Sequence, residues 1–151
     1  MQRTAFTLLR SIVVAAMACA TVNAVAQMTP VGLWRTIDDN EGYVRSEVRI
    51  VDNAGVVSGK IERNLDRKAK PDDRCTECKD DRKDQPIVGL EILRGLKKTD
   101  GKDVWEGGTV VDPDNGKTYR ASLTPIEGGA KLQLRGYIGF FYRTQTWVRA
   151  Q

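Results

Sequence analysis

Apolar and polar residues alternate with a period of two through most of the chain, and this alternation restricts the fold more than any other feature. Gly, Asn, Asp and Pro interrupt it about every 8 to 15 positions, which is typical of turns between strands. Because successive side chains of a β-strand point to opposite faces, the pattern predicts strands that bury one face. Helical periodicity is absent after the first 26 residues. The sequence therefore predicts an all-β domain.

Eight segments fit the alternating pattern. Most connections between them are too short for a parallel crossover, which needs about a dozen residues or more, so sequential strands are expected to pair antiparallel. Eight such strands can close into an up-and-down barrel, which removes exposed edges and leaves room for side chains or one small ligand. A β-sandwich is the alternative, but its Greek-key crossovers usually need longer connections. The predicted strands are 31–37, 43–51, 56–63, 87–94, 104–111, 117–125, 130–138 and 141–149.

The same alternation predicts which side chains face the barrel interior. Arg45 and Glu47 fall on the outward face. Alternation does not decide the facing of two strands. In the fifth, Trp105 and Thr109 oppose Val104 and Val110, and in the last the odd-numbered face, from Arg143 to Arg149, mixes charged, polar and aromatic residues. The residues predicted to point inward are Val44, Ser46, Val48, Ile50, Val57, Gly59, Ile61, Tyr119, Ala121, Leu123, Leu132, Leu134, Gly136 and Ile138.

Residues 1–26 have the parts of a secretory signal peptide. A positive region and an apolar region precede Ala24-Val25-Ala26, which matches a small-x-small cleavage site. The apolar stretch is shorter than the roughly 20 residues of a membrane span. We therefore expect cleavage near Ala26, a periplasmic or secreted protein that does not span the membrane, and a single domain over residues 27–151. A lipid anchor at Cys19 is a weaker alternative, because the preceding residues only faintly resemble a lipobox.

Composition argues against several classes of function. Loss of Arg3 and Arg10 with the leader lowers the formal net charge from +4 to +2, and such a weak, interspersed charge does not suit nucleic-acid binding. The chain contains no histidine, which excludes Ser-His-Asp and Cys-His catalysis, His-ligated zinc and proximal-His haem. We predict no metal site, no cofactor and no catalytic residue, and any acid or base chemistry would depend on Asp, Glu, Tyr or Lys.

One long, charged connection, residues 64–85, interrupts the regular spacing of the strands. Connections of this length in a compact domain are typically functional or disordered. This one contains Cys75-Thr76-Glu77-Cys78, and the loss of Cys19 with the leader would leave this pair alone. In an oxidising compartment Cys75 and Cys78 are expected to form a structural disulfide. Redox activity is less favoured, because neighbouring acidic residues offset the basic ones that would stabilise a thiolate.

Two further groups of residues are candidates for a function or a structural device. Gly32 and Trp34 at the start of the first strand, and Arg149 at the end of the last, resemble the way in which calycin barrels, the lipocalins and their relatives, close one end. In those barrels a cation lies over an indole face. If the barrel keeps a cavity, a mixed aromatic and polar set would best orient a ligand there. The predicted ligand-binding residues are Trp105, Tyr119, Arg143 and Gln145.

Several phrases in combination resemble the DUF2147 family over nearly all of residues 27–151. The resemblance implies a secreted bacterial, periplasmic protein with a lipocalin-like (calycin-type) β-barrel. The family is one of unknown function, so the resemblance implies no catalytic residue and no ligand. The phrases are Gly32-Leu33-Trp34, Cys75-x-x-Cys78, Arg82-Lys83-Asp84-Gln85-Pro86-Ile87-Val88-Gly89, Trp105-x-Gly107-Gly108, Asp112-Pro113-x-Asn115-Gly116-Lys117-x-Tyr119, Arg135-Gly136-Tyr137-Ile138-Gly139 and Arg143-Thr144-Gln145-Thr146-Trp147.

The leading functional hypothesis is a noncatalytic protein that binds a small, partly apolar ligand in or at the mouth of the barrel. The alternative is a structural or protein-interaction module of the bacterial cell envelope. Its Cys75–Cys78 loop, flanked by Arg74, Lys79, Arg82 and Lys83, would dock to an envelope protein. A cavity favours the first hypothesis, whereas a filled interior favours the second. An enzyme is the third and least supported hypothesis.

Overall fold

The computed structural model describes residues 28–151, so the predicted leader and its cleavage site lie outside the described residues. Each strand pairs antiparallel with its neighbours in sequence, and the first also pairs with the last, which closes the barrel. The prediction of an eight-stranded up-and-down barrel is confirmed. The strands are β1 (Gly32–Ile37), β2 (Val44–Asn53), β3 (Val56–Asn64), β4 (Glu91–Lys98), β5 (Trp105–Asp112), β6 (Lys117–Ile126), β7 (Lys131–Ile138) and β8 (Phe141–Arg149), with a short 3₁₀ helix (Glu127–Gly129) between β6 and β7.

The up-and-down order gives the barrel two different ends. The β2–β3, β4–β5 and β6–β7 connections and residues 28–31 lie at one end, which we call the closed end. The β1–β2, β3–β4, β5–β6 and β7–β8 connections lie at the other, which we call the open end. The long β3–β4 connection with the cysteines is therefore at the open end. No helix in residues 28–151 has the length and apolar character needed to cross a membrane.

The hydrophobic core fills the closed half of the barrel. On the inner faces of β2 and β3, Val48, Ile50 and Val57 are completely buried. Leu123 on β6 and Leu132 on β7 are completely buried as well. These residues were predicted to point inward from alternation alone, because one face of each strand must be apolar when the barrel closes.

The structure decides the facing of β8, which alternation leaves open. Trp147 is 2% exposed, whereas its neighbour Val148 is 39% exposed. The odd-numbered residues of β8 therefore point into the barrel. As a result, Arg143 and Gln145 lie on its interior face, toward the open end.

The prediction for the fourth strand was wrong at both ends, since the strand covers Glu91–Lys98 instead of 87–94. Before it, Gly89 has a φ of +91° and donates its backbone N–H to the carbonyl of Ile61 at 2.7 Å, which makes a turn against β3. Within it, Gly95 has a φ of +72°. A glycine in this conformation can form a bulge that bends a strand without ending it, so β4 continues past Gly95.

Candidate functional site

The open end of the barrel leads into a cavity of about 1140 Å³. Its inner wall is apolar and includes Ile61, Ile92, Val110, Leu134 and Trp147. Its rim is formed by the charged and polar connections of the open end. Ligand sites for small molecules typically measure about 300 to 1,000 Å³ and combine apolar walls with a few polar groups. The cavity is therefore large enough for a small molecule.

The cavity contains three of the four residues predicted to bind a ligand. Tyr119, Arg143 and Gln145 line it. Trp105 does not join them: it is 6% exposed within the core and pairs with Leu123. The reason is its position along the strand, because β5 begins at the closed end and Trp105 is its first residue.

A chain of hydrogen bonds connects the rim to the buried wall. The Gln145 amide nitrogen donates to the Asp39 carboxylate at 3.2 Å, and the Arg143 guanidinium donates to the same carboxylate. The Gln145 side-chain oxygen accepts a hydrogen bond from the Trp147 indole at 3.3 Å. These contacts hold the Gln145 side chain between a charged rim and an aromatic wall, where it can orient the polar group of a ligand.

A second polar cluster crosses the rim and centres on Arg45. Its guanidinium donates to Asp66 at 2.9 Å and forms ion pairs with Asp114 at 3.0 Å and Asp38 at 3.9 Å. The Tyr43 hydroxyl also donates to Asp66, at 3.1 Å. The three carboxylates belong to three different connections, so this cluster ties the loops of the open end together.

Sequence reasoning placed Arg45 on the outer face, and this was wrong. Thr36 pairs with Ser46 and Ile37 with Val44, so Arg45 is left without a partner on β1. Such a β-bulge breaks the alternation and re-aims a side chain. Arg45 consequently lines the cavity mouth. Alternation carries no signal for a bulge, and the acidic residues that surround Arg45 are brought together only by the fold.

The charges of this cluster reinforce one another. Burial alone would lower the pKa of Arg45, but Asp114 and Asp66 outweigh it and raise that pKa. The pKa of Asp66 is lowered, chiefly because its carboxylate accepts the backbone N–H of Lys68; burial opposes this effect, while Arg45 and Tyr43 add to it. The pKa of Asp38 is lowered mainly by the backbone N–H groups of Glu41 and Asn40.

Acid is expected to weaken the ion pairs that Arg45 forms with carboxylates at the open end. A carboxylate whose folded pKa lies below its unfolded value of about 3.9 stabilises the fold fully above that value, and this stabilisation is lost as the pH falls through the folded pKa. An Asp66→Asn variant should therefore lose stability less steeply than the native protein below about pH 4. Urea unfolding as a function of pH measures this. Asp100→Asn, on an exposed turn at the closed end, should keep the native slope. Equal slopes for all three proteins would contradict the prediction.

The predicted disulfide between Cys75 and Cys78 is present and buried. The Cys75 sulfur lies 3.7 Å from the carbonyl oxygen of Pro113, and the Glu77 carbonyl packs directly on Gly116. The disulfide loop is therefore folded onto the β5–β6 turn at the rim of the cavity.

One of the four basic residues predicted to dock an envelope protein, Arg82, is buried by this placement of the loop. Arg82 is 4% exposed. It donates to Asp80 at 2.9 Å and to the carbonyl of Glu91 at 3.2 Å, so it anchors the loop to the barrel. The side chains of Arg74, Lys79 and Lys83 remain exposed.

The structure brings the three predicted barrel-closing residues together at the closed end. The Arg149 guanidinium lies 4.1 Å from the centre of the Trp34 ring. It also donates to three backbone carbonyls, those of Gly129 at 2.7 Å, Thr29 at 2.8 Å and Val31 at 2.9 Å. A Cβ at Gly32 would lie 2.6 Å from an Arg149 nitrogen, so a larger residue there would displace the guanidinium from this position. Burial lowers the pKa of Arg149.

The side chains that could bind a metal ion are not grouped in the described part of the chain. Within residues 28–151, Cys, Asp and Glu side chains form no group of three or more that could hold one.

Comparison with known proteins agrees with this architecture. A protein in the human pathogen Helicobacter pylori, HP1028, described as belonging to the lipocalin family, superposes with a TM-score of 0.67 over 80% of this chain and 82% of its own. The two sequences are 18% identical, so the likeness shows a lipocalin-like fold and nothing about the ligand. No protein with a curated description matches the chain. The model of the family DUF2147, uncharacterised proteins conserved in bacteria, matches residues 32–149. With the family's model covering the whole barrel, the chain belongs to DUF2147.

Proposed function

We propose that this protein binds a small, partly apolar molecule in the cavity at the open end of the barrel, without transforming it. The observation that carries the proposal is the unequal filling of the barrel. The closed half is packed with side chains such as Trp34, Ile50 and Leu123, whereas the open half and its rim leave a cavity of about 1140 Å³ that is open to solvent. A barrel with only a structural role gains nothing from such a space, because empty volume forfeits packing contacts.

The lining of the cavity defines the chemistry of the ligand. An apolar body would lie against Leu134, Val110 and Trp147, where burial of apolar surface contributes about 25 cal/mol per Å². A polar group would face Gln145 and Arg143 nearer the rim, where hydrogen-bond donors are available. The ligand proposed is therefore amphipathic, with its polar end toward the mouth.

Other findings support the proposal without identifying the ligand. HP1028, which shares this architecture, is described as a member of the lipocalin family. The family DUF2147 is bacterial, and cleavage of the leader predicted for residues 1–26 would agree with a protein that meets its ligand in the periplasm or outside the cell. Protein docking through the Cys75–Cys78 loop is less supported, because the disulfide and Arg82 are buried against the barrel.

Filling the cavity should block binding. Gly136 lies on the inner face of β7, and a Cβ there would make ordinary contacts with Tyr119 at 3.5 Å and Val110 at 3.8 Å. A Gly136→Phe variant should therefore fold and project its ring into the cavity. N-phenyl-1-naphthylamine, a neutral apolar fluorophore, is the probe. The variant should bind it roughly tenfold or more weakly than the native protein, a loss of about 1.4 kcal/mol or more.

Val51→Phe is the matched control, because it adds the same ring on the exposed outer face of β2. This control should bind the probe as the native protein does, and circular dichroism checks that both variants are folded. The proposal is wrong if the native protein gives no fluorescence increase, or if Gly136→Phe binds as tightly as Val51→Phe.

A further inference from the structure

The β7–β8 hairpin ends in a group of exposed apolar side chains, residues 138–142, which we call the hairpin tip. Phe140 is fully exposed and Phe141 is 79% exposed. Ile138 and Tyr142 are 58% and 61% exposed. The other large apolar side chains exposed in residues 28–151, such as Val51 at 39% and Val88 at 54%, are each less exposed than these four. Single exposed apolar residues are normal, but a contiguous aromatic group indicates a contact surface.

The hairpin tip is held out from the barrel by its strands. β7 and β8 pair without interruption from Lys131 and Val148 to Ile138 and Phe141, so only Gly139 and Phe140 form the turn. Gly139 has a φ of +56°, which allows this tight connection. The continuous pairing fixes the backbone of the tip, and its apolar side chains remain exposed to solvent.

The tip lies at the mouth of the cavity. Ile138, Phe141 and Tyr142 belong to the cavity lining as well as to the exposed group. Whatever contacts the tip therefore lies against the opening of the barrel.

Two arginine side chains on the outer face of the barrel lie beside tyrosine rings of this hairpin. The Arg135 guanidinium lies 4.6 Å from the centre of the Tyr142 ring, and that of Arg120 lies 5.9 Å from the Tyr137 ring. Within residues 28–151 neither arginine forms an ion pair with a carboxylate; Arg135 donates to the Thr144 hydroxyl instead. Two positive charges near the tip are therefore free of an acidic partner in this part of the chain.

We propose that the hairpin tip inserts into the surface of a lipid bilayer that contains anionic lipids. Phenylalanine rings would enter the boundary of the acyl chains, the tyrosines would lie at the level of the headgroups, and Arg120 and Arg135 would face lipid phosphates. A protein partner is a poorer fit, because stable protein interfaces bury about 800 Å² on each side, more than a five-residue projection supplies. The mouth of the barrel would then open at the membrane surface.

Vesicle flotation tests the proposal with the purified protein. The native protein should float with vesicles made of equal parts phosphatidylglycerol and phosphatidylcholine, and less with phosphatidylcholine alone. Phe140→Ser combined with Phe141→Ser should weaken binding roughly tenfold or more, because two rings lose their apolar contact. Val51→Ser combined with Val88→Ser removes two exposed apolar side chains elsewhere and should change binding by less than about twofold.

Two further variants separate the causes. Arg120→Gln combined with Arg135→Gln should abolish the preference for phosphatidylglycerol vesicles. Gly136→Phe, which fills the cavity, should float like the native protein, so failure of ligand binding and failure of membrane binding are distinguishable. The proposal is overturned if the native protein floats with neither vesicle, or if the tip variant floats as well as the native protein. A dimer in size-exclusion chromatography that the tip variant loses would also overturn it, since the tip would then bind a second copy.

Discussion

An Arg149→Ala variant is expected to be less stable than the native protein by about 3 kcal/mol in free energy of unfolding. The guanidinium makes three hydrogen bonds to backbone carbonyls and one cation–π contact with Trp34. Hydrogen bonds from a charged donor contribute more than neutral ones, and the contact with an indole adds about 0.5 to 2 kcal/mol. The loss is large compared with the roughly 5 to 15 kcal/mol that stabilise an ordinary domain. Urea unfolding measures it.

Two variants show whether the effect belongs to the closed end. Arg49→Ala breaks an ion pair with Glu62 in which both side chains are nearly half exposed, and should cost no more than about 1 kcal/mol. Arg149→Lys keeps a positive charge but cannot reach all three carbonyls, so it should recover only part of the stability. If Arg149→Ala costs no more than Arg49→Ala, the contacts of Arg149 at the closed end do not stabilise the barrel.

A Gly116→Ala variant is expected to lose about 3 kcal/mol of stability and to release the disulfide loop from the rim. Gly116 has a φ of +67°, and a Cβ there would overlap the Glu77 carbonyl oxygen. Because that atom is backbone, the clash can be relieved only by separating the β5–β6 turn from the loop that carries Cys75 and Cys78. The buried disulfide should then be reduced faster by dithiothreitol, which measures the displacement directly.

Gly101→Ala separates the clash from the cost of the backbone conformation. Gly101 has nearly the same φ, +69°, but a methyl group there would meet no other atom within 4 Å, so alanine should cost only about 1 to 2 kcal/mol. The disulfide should be reduced at the native rate in this control. Equal stability and equal reduction rates for the two variants would show that the contact between the loop and the β5–β6 turn is unimportant.

Alternation was sufficient to predict the inner faces of most strands. Val48, Ile50, Leu123 and Leu132 are all completely buried as expected, because a closed barrel requires each strand to hold one face inward. Alternation failed at β4, where the register with β3 shifts between Leu93 and Leu96 and the strand continues past Gly95 instead of ending there. A positive φ is compatible with either outcome, and the neighbouring strands decide between them.

The candidate site was predicted only in part, for the same kind of reason. Tyr119 lies in the cavity as its strand face requires, whereas Gln145 lies there because the structure turns the odd-numbered face of β8 inward. Trp105 points inward as well, but it lies near the closed end, where the barrel is filled. Periodicity gives the face of a strand on which a residue lies and not its depth in the barrel. The depth depends on how all eight strands are staggered around the barrel.

The Arg45 cluster could not be predicted from the sequence. Its members come from three connections and a bulge, and Arg45 lies 21 positions from Asp66. Nothing local to either residue indicates the other.

The sequence by itself determined the all-β class, the strand order, the apolar inner faces and the pairing of Cys75 with Cys78, because each depends on spacing between neighbouring residues. Only the tertiary structure decided where the interior is filled and where it is open, which way β8 faces, and how Arg45 reaches the rim. Those properties depend on the register of strands that are distant in sequence. The closure of the barrel sets that register, since β1 must pair with β8.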